Sequence, residues 1–372
     1  MRIGIDATAL PPRLVGAGNY IVNLIRALLQ LDAKNEYVVF VKPEQRFLFE
    51  PREHLELVNA ALSSPLVRVA WEQTALPLLA RQYRLDLLHS PHYTVPLLVR
   101  SKTVATFHDM TFFLYPELHE AYKRLYFKPI IRLSARRANA IIADSESTRQ
   151  DILKILRVNP QQIVAVPLGV SDHPRMDNPL EIARVRRQYN LPEKFILNVG
   201  VLEPRKNVTT LVRAFKSLIE QGIPHSLAIV GKRGWHYEQI FQTVKDLGIE
   251  DRVIFTDYIP ENDLRCLYRA SDLFVYPSFY EGFGLPVLEA MAQGVPVVTS
   301  NLSSMPEIAG DTALRVNPHD EPALASAMQR VLTDRGLHDK LAQDGYARSK
   351  LFSWRRTARE TLGVYERVFQ AQ

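Results

Sequence analysis

Short apolar runs alternate with amphipathic stretches along the whole chain. The runs are rich in Val, Ile, Leu and Phe, which is typical of strands that are buried on both faces of a parallel sheet. The longer stretches between them repeat their apolar positions as amphipathic helices do. We therefore predict strands at residues 3–6, 37–41, 67–69, 85–89, 103–107, 140–143 and 163–166 in the first half of the chain, and at 195–199, 227–230, 253–256, 273–276, 295–299 and 314–316 in the second. This alternation predicts a doubly wound α/β fold.

The pattern also predicts where one domain ends and the next begins. Residues 167–194 carry Pro, Asp and Arg in place of an apolar run, and a new series of strands follows them. We predict two Rossmann-like domains that face each other across a cleft, over residues 1–175 and 190–352. The length of 372 residues fits two domains of ordinary size. The amphipathic helix predicted within residues 353–372 either packs on the second domain or crosses back to the first.

Composition narrows the class of protein. Hydrophobic residues make up 47% and charged residues 23%, as in a globular protein, and the single cysteine excludes a disulfide framework. The first residues already have a strand pattern and no apolar run is long enough to cross a bilayer, so we expect a cytoplasmic protein without a signal peptide. The net charge is +6. A basic protein can meet nucleic acid, an anionic membrane or a phosphorylated substrate.

Two segments with candidate chemistry follow predicted strands in the first half of the chain. Gly16, Ala17 and Gly18 open a predicted helix, where glycine lets backbone N–H groups approach an anion and the helix N-terminus adds a positive dipole. His108 and Asp109 follow a strand at its carboxyl end, where open α/β sheets bind ligands. The alternatives are a glycine loop without a ligand and a structural His–Asp pair.

A pair of cations follows the first predicted strand of the second half. Arg205 and Lys206 stand just before a predicted helix, where their charges oppose the positive end of the helix dipole. They therefore need a negative partner, and a diphosphate is one that suits an arginine and a lysine. The alternative is a solvated surface pair.

The most specific segment lies at residues 281–289. Gly282 and Gly284 bracket an aromatic residue just before a predicted helix, so the loop presents backbone N–H groups at a helix N-terminus. Glu281 and Glu289 are eight residues apart and can face one ligand, one toward a sugar and the other toward a ribose diol. The alternative is a helix cap with two surface acids.

Together these segments resemble the family 4 retaining glycosyltransferases, which have the GT-B fold. The pair Glu281 and Glu289 is similar to the E-x7-E motif of that family, and the glycine, His-Asp and basic segments are similar to its other elements. Further resemblance lies at residues 71–73, 143–145, 166–170 and 304–307. The resemblance covers nearly the whole chain and implies a hexosyltransferase.

The resemblance also implies a role for each segment. Arg205 and Lys206 would bind the donor diphosphate, Glu289 the ribose and Glu281 the transferred sugar, and His108 would contact the sugar near the reacting carbon. The glycine loop of the first domain would close over the diphosphate, and the backbone after the strand at 253–256 would seat the base. The implied catalytic residues are His108, Asp109 and Glu281. The implied donor-binding residues are Gly16, Ala17, Gly18, Arg205, Lys206, Tyr258, Ile259, Gly282, Phe283, Gly284, Leu285 and Glu289.

The substrates follow from the same resemblance. Similar proteins are bacterial envelope-polysaccharide mannosyltransferases, which favours GDP-mannose as the donor, with a UDP-sugar as the second choice. The acceptor would be a glycan or a lipid diphosphate. Proteins of this kind commonly return their C-terminal helix to the first domain, which favours that choice for residues 353–372.

The sequence favours a mechanism without metal or cofactor. It contains no Asp-x-Asp arrangement, and two cations with two helix N-termini can stabilise a leaving diphosphate. No carboxylate stands out as a nucleophile, which favours front-face attack over a covalent intermediate. A sugar-nucleotide epimerase of the same fold and a non-enzymatic sugar-binding protein stay open as alternatives. No nucleic-acid-binding motif is present, so we expect no nucleic acid partner.

One predicted helix carries a basic stripe. Its cations are four residues apart or adjacent to that row, and no acid lies among them, so they share one helix face. They are Lys123, Arg124, Lys128, Arg132 and Arg136. Such a face predicts peripheral contact with anionic lipid on the inner face of the plasma membrane. The alternative is an ordinary solvated face.

Overall fold

The computed structural model of the protein describes residues 1–12, 14, 16–62, 64–119, 121–171 and 174–371, apart from the side chains of residues 65 and 121–123. The chain divides into two compact units. Unit 1 consists of Met1–Gly169 and Ser353–Gln372, and unit 2 consists of Val170–Phe352. No described helix is long and apolar enough to span a bilayer.

Each unit is built on one parallel sheet. Unit 1 has seven strands in the order β3-β2-β1-β4-β5-β6-β7, and unit 2 has six in the order β10-β9-β8-β11-β12-β13. The strands of unit 1 are β1 Arg2–Asp6, β2 Glu36–Val41, β3 Leu55–Asn59, β4 Leu87–Ser90, β5 Lys102–Phe107, β6 Ala140–Ala143 and β7 Ile163–Ala165. Those of unit 2 are β8 Phe195–Val199, β9 Ser226–Val230, β10 Val253–Thr256, β11 Leu273–Tyr276, β12 Val297–Ser300 and β13 Leu314–Val316.

Helices connect the strands in both units. Those of unit 1 are α1 Ala17–Leu31, α2 Pro65–Gln82, α3 Thr111–Leu114, α4 Ala121–Arg137 and α5 Glu146–Leu156. Those of unit 2 are α6 Pro179–Gln188, α7 Val208–Glu220, α8 Glu238–Asp246, α9 Glu261–Ala270, α10 Leu285–Ala292, α11 Met305–Ala309, α12 Glu321–Thr333 and α13 Arg335–Ser349. The last helix, α14 Trp354–Gln370, belongs to unit 1.

The strand order places a topological switch point in each sheet. In unit 1 it lies between β1 and β4, and in unit 2 between β8 and β11. Loops leave these neighbouring strands toward opposite faces of the sheet, so a crevice opens at their carboxyl ends, where doubly wound folds bind ligands. The predicted site segments after β1, β8 and β11 all lie at such ends.

One predicted strand is wrong and one observed strand was missed. Residues 67–69 lie inside α2, which begins at Pro65 and is capped by Ser64, whose hydroxyl accepts from the N–H of Val67 at 3.3 Å. The missed strand, β3, lies at the edge of its sheet and pairs only with β2. It is partly exposed along its length, so it lacks the continuous apolar run of the central strands. The other twelve predicted strands overlap observed ones.

The boundary between the units comes earlier than the sequence predicts. Unit 1 ends at Gly169 rather than at residue 175, and unit 2 begins at Val170 rather than at residue 190. Polar contacts hold the intervening segment on unit 2, because Arg265 donates to the carbonyl of Pro174 and Arg184 of α6 pairs with Asp263 of α9, at 2.7 Å each. From Val170 on, the segment whose Pro, Asp and Arg residues indicated the boundary therefore belongs to unit 2.

Buried polar contacts hold α14 on the sheet of unit 1. The Tyr365 hydroxyl lies 2.7 Å from Nδ1 of His89, and Nε2 of the same ring lies 2.8 Å from the hydroxyl of Thr106. Burial lowers the pKa of His89 to about 3, so the ring is neutral between its two hydroxyl partners. At the start of the helix, a Cβ added to Gly169 would lie 2.1 Å from the backbone N of Trp354. Only glycine lets the chain approach α14 this closely.

Candidate active site

The loops after β8 and β11 are joined to each other in unit 2. The hydroxyl of Ser278 and the N–H of Phe279 both donate to the carbonyl of Arg205, at 3.0 and 2.9 Å. The side-chain amide of Asn207 donates to the carbonyl of Pro277 at 3.2 Å. The switch point of unit 2 thus brings together the segment with Arg205 and Lys206 and the segment that leads to Glu281.

Glu281 lies at the centre of a cluster of hydrogen-bond donors. Its Oε1 accepts from Lys206 at 2.7 Å, Tyr276 at 2.9 Å and Ser278 at 2.7 Å, and its Oε2 accepts from Arg205 at 2.8 Å. The residue is only 8% exposed. Burial by itself raises the pKa of a carboxyl, but the two cations outweigh it and lower the pKa of Glu281 to about 2. The side chain is therefore a carboxylate that holds both cations in place.

A second carboxylate completes the cluster. Glu203 accepts from Nε and Nη2 of Arg205, at 3.1 and 2.7 Å. Lys206 also donates to the hydroxyl of Tyr276 at 2.7 Å. Burial, reinforced by the charge of Arg205, lowers the pKa of Lys206. Two cations and two carboxylates balance in charge, so an incoming diphosphate would add negative charge to a neutral cluster.

The loop between Glu281 and α10 depends on glycine. Gly284 has a φ of +112°, and a Cβ added there would lie 2.3 Å from Cε of Met305. Phe283 is buried, and its carbonyl accepts from the hydroxyl of Ser304 at 2.6 Å. Leu285 begins α10, whose N-cap provides no side-chain hydrogen bond. The positive end of the helix dipole is thus not neutralised by a side-chain cap, as suits an anion site.

Glu289 occupies a different environment on the same helix. Its Oε2 accepts from the hydroxyl of Tyr268 on α9 at 2.8 Å, and no cation contacts it among the described residues. Burial raises the pKa of Glu289 to about 7, and Glu261 adds to the shift, although the Tyr268 hydrogen bond opposes it. The carboxyl is therefore poised between its neutral and charged forms near physiological pH.

The glycine segment of unit 1 opens α1 at the carboxyl end of the sheet. Gly16 has a φ of +49° and precedes Ala17, the first residue of the helix, which also lacks a side-chain cap. A Cβ added to Gly18 would lie 2.9 Å from Cδ of Pro11. The first glycine is required by its backbone conformation and the second by close packing.

His108 has acceptors on both sides of its ring. Nδ1 lies 2.8 Å from Asp144, and Nε2 lies 3.0 Å from the carbonyl of Pro91. Burial disfavours the charged ring, but the Asp144 carboxylate outweighs it and raises the pKa of His108. An imidazolium that donates from both nitrogens fits these partners. Contact between this ring and a sugar stays a prediction.

The remaining predicted residues follow the carboxyl ends of β5 and β10. Asp109 accepts from the N–H and the hydroxyl of Thr111, the first residue of α3, at 2.9 and 2.7 Å. Tyr258 and Ile259 follow β10, the first 38% exposed and the second buried. Their backbone lies at the carboxyl edge of the unit 2 sheet, on the side away from β11.

Sequence reasoning missed several residues of these sites. Tyr276, Ser278 and Glu203 bind the cations or Glu281, and Tyr268 binds Glu289. Tyr276 could have been found, because it is the last residue of the strand that precedes the segment at residues 281–289. Glu203 and Tyr268 carry no local signal, since only the folding of distant elements makes them partners.

Comparison with known proteins assigns the chain to a family. Residues 15–173 match the family described as Glycosyltransferase Family 4, and residues 181–348 match Glycosyl transferases group 1. O-antigen chain mannosyltransferase B of Escherichia coli is 34% identical over 288 residues, covering 77% of this chain and 75% of that protein. The chain belongs to glycosyltransferase family 4. The resemblance found in the motifs is thereby confirmed, and with it the activity of a hexosyltransferase.

Two further proteins support this. O-antigen chain mannosyltransferase RfbU of Salmonella typhimurium is 30% identical to this glycosyltransferase over 257 residues, covering 69% of this chain and 68% of that protein. The crystal structure of Anabaena HepE in complex with UDP-glucose superposes with a TM-score of 0.79 at 20% identity, covering 98% of this chain and 99% of that one. That likeness confirms the predicted GT-B fold of two Rossmann-like domains.

Proposed function

We propose that this glycosyltransferase transfers mannose from GDP-mannose, with retention, to a glycan or lipid-linked acceptor of a bacterial envelope polysaccharide. The names of the two mannosyltransferase relatives support the sugar and the pathway class. The observation that carries the proposal is the cluster of Arg205, Lys206 and Glu281 before the uncapped N-terminus of α10. It combines charge, hydrogen-bond donors and a helix dipole at one switch point.

The cluster suits a leaving diphosphate. Arg205 and Lys206 already lie side by side at the required place, so binding needs no further ordering of two long side chains. Lys206 uses two of its three ammonium hydrogens on described residues, Tyr276 and Glu281, which leaves one for a phosphate oxygen. The N-terminus of α10 offers backbone N–H groups to the same anion.

Retention by front-face attack fits the state of Glu281. In this step the bond from the sugar C1 to the diphosphate oxygen breaks while the acceptor oxygen bonds to C1 on the same face. The acceptor hydroxyl proton passes to the leaving diphosphate. A covalent intermediate would need a carboxylate that attacks C1, but four donors hold Glu281 and its pKa of about 2 makes it a weak nucleophile.

We also propose that transfer needs no metal ion. Two cations and a helix N-terminus can stabilise the charge that develops on the diphosphate. These groups perform the task that a divalent cation performs in metal-dependent transferases. The catalytic residues would then be entirely protein side chains and backbone.

Unit 1 is proposed to bind the acceptor at the carboxyl edge of its sheet. Gly16 and Gly18 open α1 there, and the ring of His108 lies beside Tyr20 and Tyr93 with centroid separations of 5.0 and 5.8 Å. An imidazole beside two aromatic rings suits a hydroxyl-rich or phosphorylated acceptor.

We further propose that α4 contacts an anionic membrane at the inner face of the plasma membrane. Leu125 and Leu133 are 82% and 45% exposed on this helix, next to the exposed Arg132 and Arg136. Apolar and cationic side chains on one outward face are typical of a helix that lies on lipid. The two arginines also line a recess of about 410 Å³ with Arg157.

The structure refines which cations can take part. Lys128 and Arg132 lie over the ring of Phe113 at 5.9 and 5.0 Å, and Arg124 and Lys128 are half-buried. The side chain of Lys123 lies outside the described residues. The proposed contact therefore rests on the exposed Arg132 and Arg136 together with Leu125 and Leu133.

Vesicle co-sedimentation tests the membrane contact. We expect binding to phosphatidylglycerol vesicles at low salt, loss at high salt, and loss at low salt in the double variant Arg132→Glu/Arg136→Glu. The control Arg81→Glu/Arg100→Glu makes the same charge change at other exposed arginines of unit 1 and should still bind. If both double variants sediment equally with the vesicles, α4 does not form the membrane contact.

Donor screening tests the transferase proposal itself. Thermal stability is measured with GDP-mannose, UDP-glucose, UDP-GlcNAc, GDP and UDP, because a ligand that binds the folded state raises it by mass action. We expect the largest rise with GDP-mannose and acceptor-dependent release of GDP. Stabilisation by a UDP-sugar alone would show that the donor is that UDP-sugar and not GDP-mannose. Turnover without an acceptor would indicate an epimerase instead.

A further inference from the structure

An exposed tryptophan lies on a loop that is hydrogen-bonded to the loop leading to Arg205 and Lys206. Trp235 follows β9 in unit 2 and is 37% exposed. Within the described residues its indole makes no ring contact, cation–π contact or hydrogen bond. The neighbouring Arg233 turns instead onto Tyr237 and Phe241, at 5.5 and 5.1 Å from their ring centroids. No described aromatic or cationic side chain therefore covers the indole.

The loop that carries Trp235 is fixed against the loop that leads to the cations. The N–H of Leu202 donates to the carbonyl of Lys232, and the N–H of Gly234 donates to the carbonyl of Leu202, both at 3.0 Å. These bonds continue the pairing of β8 and β9 beyond the ends of the strands. The position of Trp235 is therefore set by the same backbone that positions Arg205 and Lys206.

Two glycines make this close approach possible. A Cβ added to Gly231 would lie 1.8 Å from the carbonyl oxygen of Gly200, and one added to Gly234 would lie 2.6 Å from that of Leu202. Neither position tolerates another residue without a shift of backbone. The two backbones therefore lie in direct contact, which fixes the loop from which Trp235 projects.

The strand order of unit 2 shows which loops flank the loop of Trp235. At the carboxyl edge of the unit 2 sheet, the strands follow one another as β10, β9, β8 and β11. Tyr258 and Ile259 follow β10, Trp235 follows β9, and the cations follow β8. The loop of Trp235 therefore follows the strand that stands between β10, which leads to the segment predicted to seat the base, and β8, which leads to the segment proposed to hold the diphosphate.

We propose that Trp235 is the stacking platform for the base of the nucleotide donor and favours a purine over a pyrimidine. This rests on the proposed use of a guanosine diphosphate sugar. A bicyclic purine covers more of an indole face than a pyrimidine does, so stacking favours it. Lys232, an exposed residue of the same loop, adds positive charge for an anionic nucleotide.

Nucleotide binding by four proteins tests the assignment. Affinities for GDP and UDP are measured by calorimetry on the wild type, Trp235→Ala, Trp235→Phe and Tyr346→Ala. We expect Trp235→Ala to lose about tenfold or more in GDP affinity and only a few-fold in UDP affinity, the scale of one base–aromatic stack. Trp235→Phe should retain most of the GDP affinity. Tyr346→Ala removes a partly exposed aromatic ring of unit 2 on α13 and should match the wild type.

The outcomes separate this inference from the proposed function. If the wild type binds GDP and Trp235→Ala binds it equally well, the platform is wrong while the donor proposal stands. If the wild type binds neither GDP nor GDP-mannose, the donor proposal itself fails. An equal loss for GDP and UDP would leave a platform without purine selectivity and overturn that part of the inference.

Intrinsic fluorescence gives a second readout that does not depend on activity. The chain has three tryptophans, of which Trp71 and Trp354 belong to unit 1. We expect GDP to quench part of the emission of the wild type and to leave the emission of Trp235→Phe unchanged. Undiminished quenching in that variant would place the nucleotide away from Trp235.

Discussion

Glu281 and Glu289 belong to one motif, yet the structure places them in opposite surroundings. Glu281 precedes α10 and is surrounded by Arg205 and Lys206, whereas Glu289 lies on α10 and meets only the hydroxyl of Tyr268 among its described hydrogen-bond partners. The pKa falls to about 2 in the first case and rises to about 7 in the second. Burial disfavours the charge of both, so the difference comes from the two cations.

This contrast assigns different tasks to two chemically identical groups. A carboxylate that is always charged can hold cations at a fixed distance and keep them available for a phosphate. A carboxyl that titrates near neutrality can gain charge when a ligand offers hydrogen-bond donors, as a ribose diol does. The spacing of the motif fixes neither task, because it says nothing about which side chains surround each glutamate.

The largest expected effect is that of Glu281→Ala. Without the carboxylate, Arg205 and Lys206 lose their shared anchor and repel each other. We expect transfer to fall about a thousandfold and the free energy of unfolding to fall by about 3 kcal/mol, as measured by initial rates and urea denaturation. Glu281→Gln keeps hydrogen-bond capacity, so its transfer rate and its free energy of unfolding should lie between those of the wild type and those of Glu281→Ala. Wild-type rates in both variants would show that the cluster is not part of the machinery.

Removal of both cations should separate phosphate binding from base binding. In Arg205→Ala/Lys206→Ala we expect the affinity for GDP to fall about a hundredfold, because two charge-assisted hydrogen bonds are lost. The affinity for guanosine should change little. The control Arg213→Ala/Lys216→Ala removes two cations from α7 elsewhere in unit 2. A similar loss for guanosine and GDP would contradict a phosphate role.

Glu289 should make donor binding depend on pH. Ribose hydroxyls bind the charged carboxylate better, so GDP affinity should rise several-fold from pH 6 to pH 8 as Glu289 ionises near its pKa of about 7. In Glu289→Gln the rise should disappear, and the affinity at pH 8 should fall about tenfold. An unchanged pH profile in this variant would show that the group does not face the donor.

The two glutamates should also shape stability against pH in opposite directions. The lowered pKa of Glu281 contributes stability above its unfolded value of 4.5, which is lost as the pH falls toward about 2. The raised pKa of Glu289 contributes stability below 4.5, which is lost as the pH rises toward about 7. Urea denaturation from pH 4 to pH 8 should therefore show a decline that is smaller in Glu289→Gln. Equal declines would argue against the raised pKa.

The smallest expected effect is that of metal removal. Since Arg205, Lys206 and the N-terminus of α10 are proposed to stabilise the leaving diphosphate, transfer should continue at its full rate in excess EDTA. The measurement is GDP release before and after chelation, with Mg²⁺ and Mn²⁺ added back. A strict requirement for either ion would overturn metal independence.

Much of the fold was readable from the sequence because buried parallel strands need continuous apolar runs. Twelve strands and the helix of the basic stripe lie where the pattern predicts them. The glycines at 16 and 284 were also recognisable, since a helix start with positive φ requires a residue without a Cβ. The edge strand β3 escaped because a half-exposed strand has no such run.

The sequence by itself determined which residues are candidates for the chemistry, since the motif, the adjacent cations and the glycines are all local in the chain. Only the tertiary structure decided their states. Glu281 is charged because Arg205 and Lys206 reach it from a loop some 75 residues away, and Glu289 titrates near neutrality because α9 gives it a tyrosine and no cation. Trp235 gained a candidate role only when the strand order placed its strand between those that lead to the base and diphosphate segments. Charge and burial depend on neighbours in space, and those neighbours are distant in sequence.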